Sequence, residues 1–595
     1  MAGLIAIVSR ASDSTAVGAD FAGLQRCYHS LRGAVEVHRR AAGDVGVAGL
    51  CAAEGSGGAG SHSVGASWAL YVGDPHPSGA VVGADPATLD GQFALIAYDA
   101  AAGQVDVVSD PFGLQSIYVA EHADTVYIST SVLALAQHLR SRPSVLGLEV
   151  LLLTGPHFGE LTSWEGIRRL PPATHLSIRR GEPLKERVYW RPAIDPAVSG
   201  MGLSEAAHHC VEVAVATFRD RLAQREDACC DLTGGFDSRL ATLLLHRAGV
   251  SFATTTNGED DSDDVVLGSR VARLAGWPWT QGQLCRGWTE RSQAAVAHAV
   301  AWGDGQMEAT QLAQVLAMQG ELRRGSSSLF GGGGGEHWRD YAWQQEIPAG
   351  GRTKKVNFER WVNVRYLHAQ DLSPLRSDPT PRVRANLLER CRTYAAPFED
   401  LLNSAQLDML YAYKSMGHFG AYQSASRGTI HVELPFYFRD AFNAPFSVAP
   451  AHRNMHRLMR EMIRLLDTPI ARLPTTTGGP AEPLSVRNAH RFVPYLQHRA
   501  SGIARKLTER VPGPTIGAIR SSVPAVVREV RQRQLEELRA RTGLEPARMR
   551  AGSLYDARGL ARLASSATAT TDGWVTLGRI ITIELALEAV DSALD

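Results

Sequence analysis

The chain has 595 residues and a mass of 64.2 kDa, with 61 Lys plus Arg balanced by 61 Asp plus Glu, 44% hydrophobic and 21% charged residues. Zero net charge excludes a general attraction to nucleic acid or to a membrane surface, and no apolar run approaches the ~20 residues a membrane span needs. Seven scattered cysteines (27, 51, 210, 229, 230, 285 and 391) without a C-x-x-C pair argue against a disulfide framework or a cysteine zinc site, so a reducing cytoplasm is the simplest expected compartment.

Leu4 to Val8 has no basic stretch before it and is expected to be a strand, not a signal peptide. Short apolar or alternating runs continue with ASWALYV at 66, GQFALIAYD at 91, QVDVVSD at 104 and TVYIST at 125, separated by Gly, Pro and Asp. These predict strands and turns. After the Pro-bearing stretch at 190–200, helical windows begin with LSEAAHHCVEVAVATFRDRLA at 203–223, which places a domain boundary near residue 195.

The second region opens as strand (DACCDL, 227), helix (SRLATLLLHRAG, 238), strand (VSFATTT, 250) and helix (DVVLGSRVARLAG, 264). That alternation predicts an open, mainly parallel sheet with ligands at the carboxyl ends of its strands. Helices are expected to dominate beyond 285, interrupted by a strand SSSLF at 326; the glycine run at 331–335 is the one low-complexity feature. Residues 487–550 carry 14 Lys or Arg against 5 Glu and no Asp. They read either as a solvated helical face or as a surface for an acidic or peptidic partner.

The stretch DLTGGFDSR at 231–239 runs from strand through a Gly-Gly turn into a helix. Glycines let backbone amides approach a ligand, hydroxyls of Thr233 and Ser238 add donors, and the helix start is electropositive, so the loop suits phosphate. No G-x-x-x-x-G-K-[ST] occurs in the chain. Asp237 would repel a phosphate unless Mg2+ bridges the two. A capped turn with no ligand is the alternative reading of the same residues.

These motifs resemble the asparagine synthetase superfamily, whose S-G-G-x-D-S loop holds the pyrophosphate of ATP while a substrate carboxylate is adenylated. Thr233 replaces the first serine. TTTNGEDDSDD at 254–264 is similar to the family's segment near the nucleotide, with Asp264 as its acidic residue, although acids at a helix start are favourable without a ligand. LFGGGGGEHWRD at 329–340 is similar to S-G-E-G-x-D-E, which puts Glu336 at a second Mg2+-binding position; HVELPFYFRD at 431–440 resembles E-x-R-x-P-F-L-D. LDGQFALIAYD at 89–99 and SDPFGLQSIYV at 109–119 resemble the family's glutaminase domain.

The resemblance implies an α/β chain: a glutaminase-type αββα domain of the Ntn-hydrolase kind at 1–195 and a helix-rich ATP-pyrophosphatase (PP-loop, Rossmann-like) synthetase domain at 196–595. It implies ATP and Mg2+ as cofactors, with Leu232, Thr233, Gly234, Gly235, Asp237, Ser238, Arg239, Thr256, Asn257, Gly332 and Gly333 around ATP, and Asp237 and Glu336 on the metal. Glutamine-using members carry a cysteine after the initiator Met, where this chain has Ala2, so the first domain is expected to be a retained scaffold. The family's lysine is missing from RLPTTTGGPAEP at 472–483, while His431 and Glu433 replace its Glu and Arg. His431, Glu433 and His337 are candidate bases by position. Lys414 is a candidate by scarcity, lysine occurring only at 185, 354, 355, 414 and 506.

Together with LGRIITIELALE at 577–588, these features look most like the lasso peptide cyclases, which join an Asp or Glu side chain of a core peptide to its own N-terminal amine. That resemblance implies a precursor peptide, a leader peptidase and a leader-recognition protein as partners, and neither nucleic acid nor stable membrane insertion. The alternatives are a β-lactam synthetase-like or asparagine synthetase-like ligase of small molecules, or a non-catalytic nucleotide-binding scaffold.

Overall fold

The structure, a computed structural model, describes residues 2–11, 17–42, 46–52, 59–283, 287–346, 348–367, 371–497, 500, 525–566 and 571–591. Lys506, Cys285 and the middle of the basic 487–550 stretch lie outside the described residues.

Twelve strands come first: β1 (Ala2–Ser9), β2 (Val35–Ala41), β3 (Gly46–Ala52), β4 (Ala59–Val64), β5 (Ser67–His76), β6 (Asp90–Asp99), β7 (Gln104–Ser109), β8 (Tyr118–His122), β9 (Thr125–Ser129), β10 (Ile167–Arg169), β11 (Thr174–Arg179) and β12 (Lys185–Val188). They form two six-stranded antiparallel sheets, ordered β10-β8-β9-β1-β3-β2 and β12-β11-β7-β6-β5-β4. The unbroken apolar run in β1 follows from burial on both faces. Leu4, Ala6 and Val8 pack between the sheets with Leu70, Ile96 and Val107, and Ile5 and Ile7 pack on the other side against Phe21, Leu24 and Leu135 of helices 17–32 and 132–139.

Five further strands, β13 (Ala228–Asp231), β14 (Phe252–Asn257), β15 (Trp279–Gly282), β16 (Ser328–Phe330) and β17 (His431–Glu433), form a parallel sheet in the order β15-β14-β13-β16-β17. The direction of winding reverses between β13 and β16, so a crevice opens at their carboxyl ends. Helices 203–222, 236–247 and 457–466 cover one face through Phe218, Leu240, Leu244, Met459 and Ile463. On the other face Cys229, Leu329 and Val432 meet Phe112 and Leu114 of the antiparallel half.

The remaining helices pack on the helical layer of the first half. Ile580 and Ile583 of the helix Thr571–Asp591 share a core with Leu148 and Leu151, Arg579 donates to the Leu152 carbonyl at 2.8 Å, and Gln137 donates to that of Ala589 at 3.0 Å. The arginine-rich helix Ala525–Thr542 is not solvated all round: Val530, Leu535 and Leu538 are buried and Arg531 stacks over Trp574 at 5.0 Å. Among the described residues no helix is long and apolar enough to cross a membrane.

The motifs of the two halves interlock. Gln92 donates to the Leu434 carbonyl at 2.7 Å and accepts from its amide at 3.2 Å, and Asp90 accepts the Arg439 amide at 3.2 Å and pairs with Arg221 at 3.2 Å. The carboxylate of Asp110 takes the amides of Phe112, Leu114 and Gln115, holding Phe112 against Tyr437 and Phe442.

Candidate functional site

Two loops leave the parallel sheet at the winding reversal. The first, residues 232–235, follows β13 and enters the helix Phe236–Arg247; the second, residues 331–335, follows β16. They are in direct contact. A Cβ on Gly335 would stand 2.4 Å from Cβ of Asp237, and one on Gly332 would stand 2.9 Å from the Ser238 backbone nitrogen, so the glycine run is what lets the second loop lie on the first helical turn.

The first loop is internally braced. The Thr233 amide donates to Ser238 Oγ at 3.0 Å, the two hydroxyls lie 2.8 Å apart, and the Gly235 amide donates to Thr233 Oγ1 at 3.2 Å. The Gly234 amide donates to Asp264 Oδ1 at 3.0 Å, a carboxylate at the start of the helix Asp263–Ala275. Leu232 is buried, its carbonyl accepting from Thr256 Oγ1, which also accepts from Trp279 Nε1 at 3.0 Å; Asn257 ends β14 on the exposed rim.

Asp237 and Glu336, expected to share a metal, do come together, with a cation already between them. Arg339 donates to Asp237 through Nε at 3.1 Å and Nη2 at 2.7 Å. Glu336 takes the Gly334 amide at 3.1 Å. Burial and the Asp237 charge raise its pKa against the opposing effect of Arg339. Burial works against the Arg339 charge, and Asp237 outweighs it, so the guanidinium pKa is raised. The sequence reading passed over Arg339, although it stands three residues after Glu336 in the same fingerprint.

Lys414, on the helix Asn403–Ser426, belongs to the same neighbourhood. Its ammonium lies 5.6 Å from the Tyr366 ring centre and has no hydrogen bond or ion pair among the described residues. Burial, then the charge of Arg365, depresses its pKa to about 8 against the pull of Glu336. Arg365 is itself held over Tyr341 at 4.3 Å and Trp361 at 5.2 Å.

Four of the expected site residues lie apart from the loop contact. Arg239 does not face the loop: it is fully buried, and its guanidinium donates to the carbonyls of Leu473 at 3.2 Å and Pro474 at 2.8 Å. It thereby fixes the threonine segment 475–477, whose Thr476 amide donates to the Gly234 carbonyl at 3.1 Å. His337 is enclosed by Tyr411, Tyr437 and Phe442 with ring centres at 5.5, 5.8 and 4.7 Å. Burial, then the charges of Arg453 and Arg339, keeps its pKa far below the usual value, which favours a neutral imidazole packed among aromatic rings. His431 and Glu433 face away from Asp237, toward Asp74 of β5 and Arg225, because alternate residues of edge strand β17 point to the interface with the first half.

The hydroxyls of Thr233 and Ser238 and the partly buried carboxylates of Asp237 and Glu336 gather where the sheet reverses, a set of oxygen donors suited to a hard cation, while the amides of Gly234 and Gly235 are already bonded to Asp264 and Thr233.

Residues 82–190 match the family described as the glutamine amidotransferase domain. Among solved structures the chain is similar to the glutamine phosphoribosylpyrophosphate amidotransferase from B. subtilis complexed with ADP and GMP, at 10% identity over 49% of this chain and 68% of that one, with a TM-score of 0.21. It is also similar to a structure described as the allosteric regulatory enzyme of purine biosynthesis, at 10% identity over 47% and 65% of the two chains, again with a TM-score of 0.21. Likenesses that slight carry no argument about this chain. No curated protein matches it. The chain thus contains an N-terminal glutamine amidotransferase-type domain, and a helix-rich part follows it.

Proposed function

We propose that the chain is an ATP-dependent, AMP-forming amide ligase of the asparagine synthetase-like kind, and specifically a lasso peptide cyclase. The observation that carries the reading is the contact between the two glycine loops at the β13/β16 reversal, which joins Asp237 and Glu336. Thr233, Gly234, Gly235 and Ser238 would hold the phosphates, with Leu232, Thr256, Asn257, Gly332 and Gly333 around the nucleotide, and Asp237 with Glu336 would hold Mg2+. Bound Mg-ATP supplies an adenylyl group that turns a carboxylate oxygen into a good leaving group.

The protein's own side chains do the rest. Arg339, which pairs with Asp237 here, would be released where Asp237 holds Mg2+, and its fork would then suit phosphate oxygens. Lys414, neutral for a substantial fraction of the time near pH 8, accepts the proton of the attacking amine. No side-chain nucleophile stands at Ala2, and the first half is tied to the parallel sheet through Gln92 and Asp90, which supports a scaffold role for it. The peptide specificity rests on the sequence resemblance: the TGGFDSR loop, the missing cysteine and lysine, and the C-terminal helix. A precursor peptide, a leader peptidase and a leader-recognition protein are the partners this reading requires.

Pyrophosphate release with Mg-ATP, measured with and without a precursor peptide and its processing proteins, tests it. Precursor-dependent release with loss of one water from the peptide, about 18 Da by mass spectrometry, is the expected result. Release with a small carboxylic acid and no peptide would move the assignment to a β-lactam synthetase-like or asparagine synthetase-like ligase, and no release with any acceptor would leave a nucleotide-binding scaffold.

A further inference from the structure

A second group of ligand-bearing side chains lies outside the nucleotide cleft, at the seam between the antiparallel half and edge strand β17. Asp74 of β5, His431 and Glu433 present one ligand atom each, all within 4.8 Å of one another, and no other such group of three occurs among the described residues. His431 Nε2 lies 2.7 Å from Asp74 Oδ2 and 3.9 Å from Glu433 Oε2. Glu433 is 1% exposed, yet neither of its carboxylate oxygens has a hydrogen bond. A buried carboxylate that has no hydrogen bond and meets the Arg225 guanidinium only at 3.6 Å, beside an imidazole and a second carboxylate, is better stabilised by a cation that joins all three.

We propose that Asp74, His431 and Glu433 form a site for a borderline first-row divalent cation, best matched by Zn2+, that clamps the antiparallel half to the edge of the parallel sheet. Imidazole with two carboxylates suits such an ion, whereas Mg2+ favours oxygen ligands and retained waters. Tetrahedral bonds of about 2.0–2.1 Å place ligand atoms roughly 3.4 Å apart, between the two separations from His431.

Arg225 is the competing cation. It pairs with Asp74, and its Nε lies 3.6 Å from Glu433 Oε2, but its side chain is 31% exposed and can swing into solvent. His76 and Tyr71 also interact with Asp74, and Arg221 and Asp220 act in turn on His76. An ion here would also stiffen the glycine loop, because the Gly331 amide donates to the Glu433 carbonyl at 3.0 Å.

The test uses the full chain, stripped with chelator and titrated with Zn2+ against a chromophoric chelator, with thermal melting in parallel. About one equivalent should bind and raise the melting temperature. His431→Gln and Asp74→Asn should each weaken binding at least ~10-fold, and Arg225→Gln, which removes the competitor, should tighten it several-fold. A wild-type chain that takes up no Zn2+, or uptake unchanged in both His431→Gln and Asp74→Asn, overturns the proposal. Metal content is read without ATP or peptide, so the outcome is independent of the ligase reading.

Discussion

Arg339 spans both carboxylate oxygens of Asp237, at 3.1 and 2.7 Å, across 102 positions of sequence. The guanidinium occupies the place at which a metal would neutralise the same carboxylate, so on the proposed ligase reading nucleotide binding would be coupled to release of this ion pair. Asp237→Ala should lower precursor-dependent pyrophosphate release by about 100-fold or more, since both the metal ligand and the positioning of Arg339 are lost. Circular dichroism should show a folded variant, and near-wild-type release would remove Asp237 from the site.

Gly335→Ala tests the contact between the loops. Its new Cβ would overlap the Asp237 side chain at 2.4 Å, and the two loops follow strands that are hydrogen-bonded to each other. The cost expected for such overpacking is about 1–3 kcal/mol, with activity falling further than stability because Asp237 is displaced. Thermal melting together with the release assay separates the two effects.

Lys414 carries a pH signature. Its folded pKa of about 8 is below the unfolded value, so the folded state binds fewer protons between the two. Stability from this group is therefore present above the unfolded pKa and is lost as pH falls toward 8. Lys414→Met should be more stable than wild type at pH 7, where the buried charge is a burden. The rising limb of the rate profile near pH 8 should vanish in Lys414→Met, and Lys414→Arg should not restore it, because arginine does not release its proton. Rescue by arginine would assign Lys414 a purely electrostatic role.

Gln92→Ala tests the scaffold role of the first half. It removes two hydrogen bonds to Leu434 and leaves its buried amide without a partner, while its carbonyl keeps the Tyr437 amide at 2.9 Å. The expected cost is about 1–3 kcal/mol, read by denaturant unfolding. Activity should fall as well, because Leu434 directly follows β17, which holds Gly331.

Arg239→Lys should disturb the threonine segment 475–477 without abolishing nucleotide binding. A lysine cannot reach the Leu473 and Pro474 carbonyls with the same fork. The expected result is a several-fold weaker apparent ATP affinity, since Thr476 braces Gly234. An unchanged affinity would detach that segment from the loop.

Sequence alone determined the elements whose signal is local. The apolar run at Leu4–Val8, the alternation around 91–99 and the strand-glycine-helix order of 228–247 each carry their period or turn chemistry within a few residues, and the structure has β1, β6 and the β13-helix unit there. The pairing of Glu336 with Asp237 rests on the resemblance of the two glycine segments to family fingerprints, and the adjacency of β13 and β16 that brings them together belongs to the tertiary structure. Only the tertiary structure decided where the long side chains go. Arg239 and His337 sit inside motifs yet turn into the core, and His431 and Glu433 turn toward Asp74, because orientation depends on what packs against each face from hundreds of residues away. Lys414 had no motif to mark it, and its depressed pKa arises from burial and the charge of Arg365, a neighbour that chain folding alone supplies.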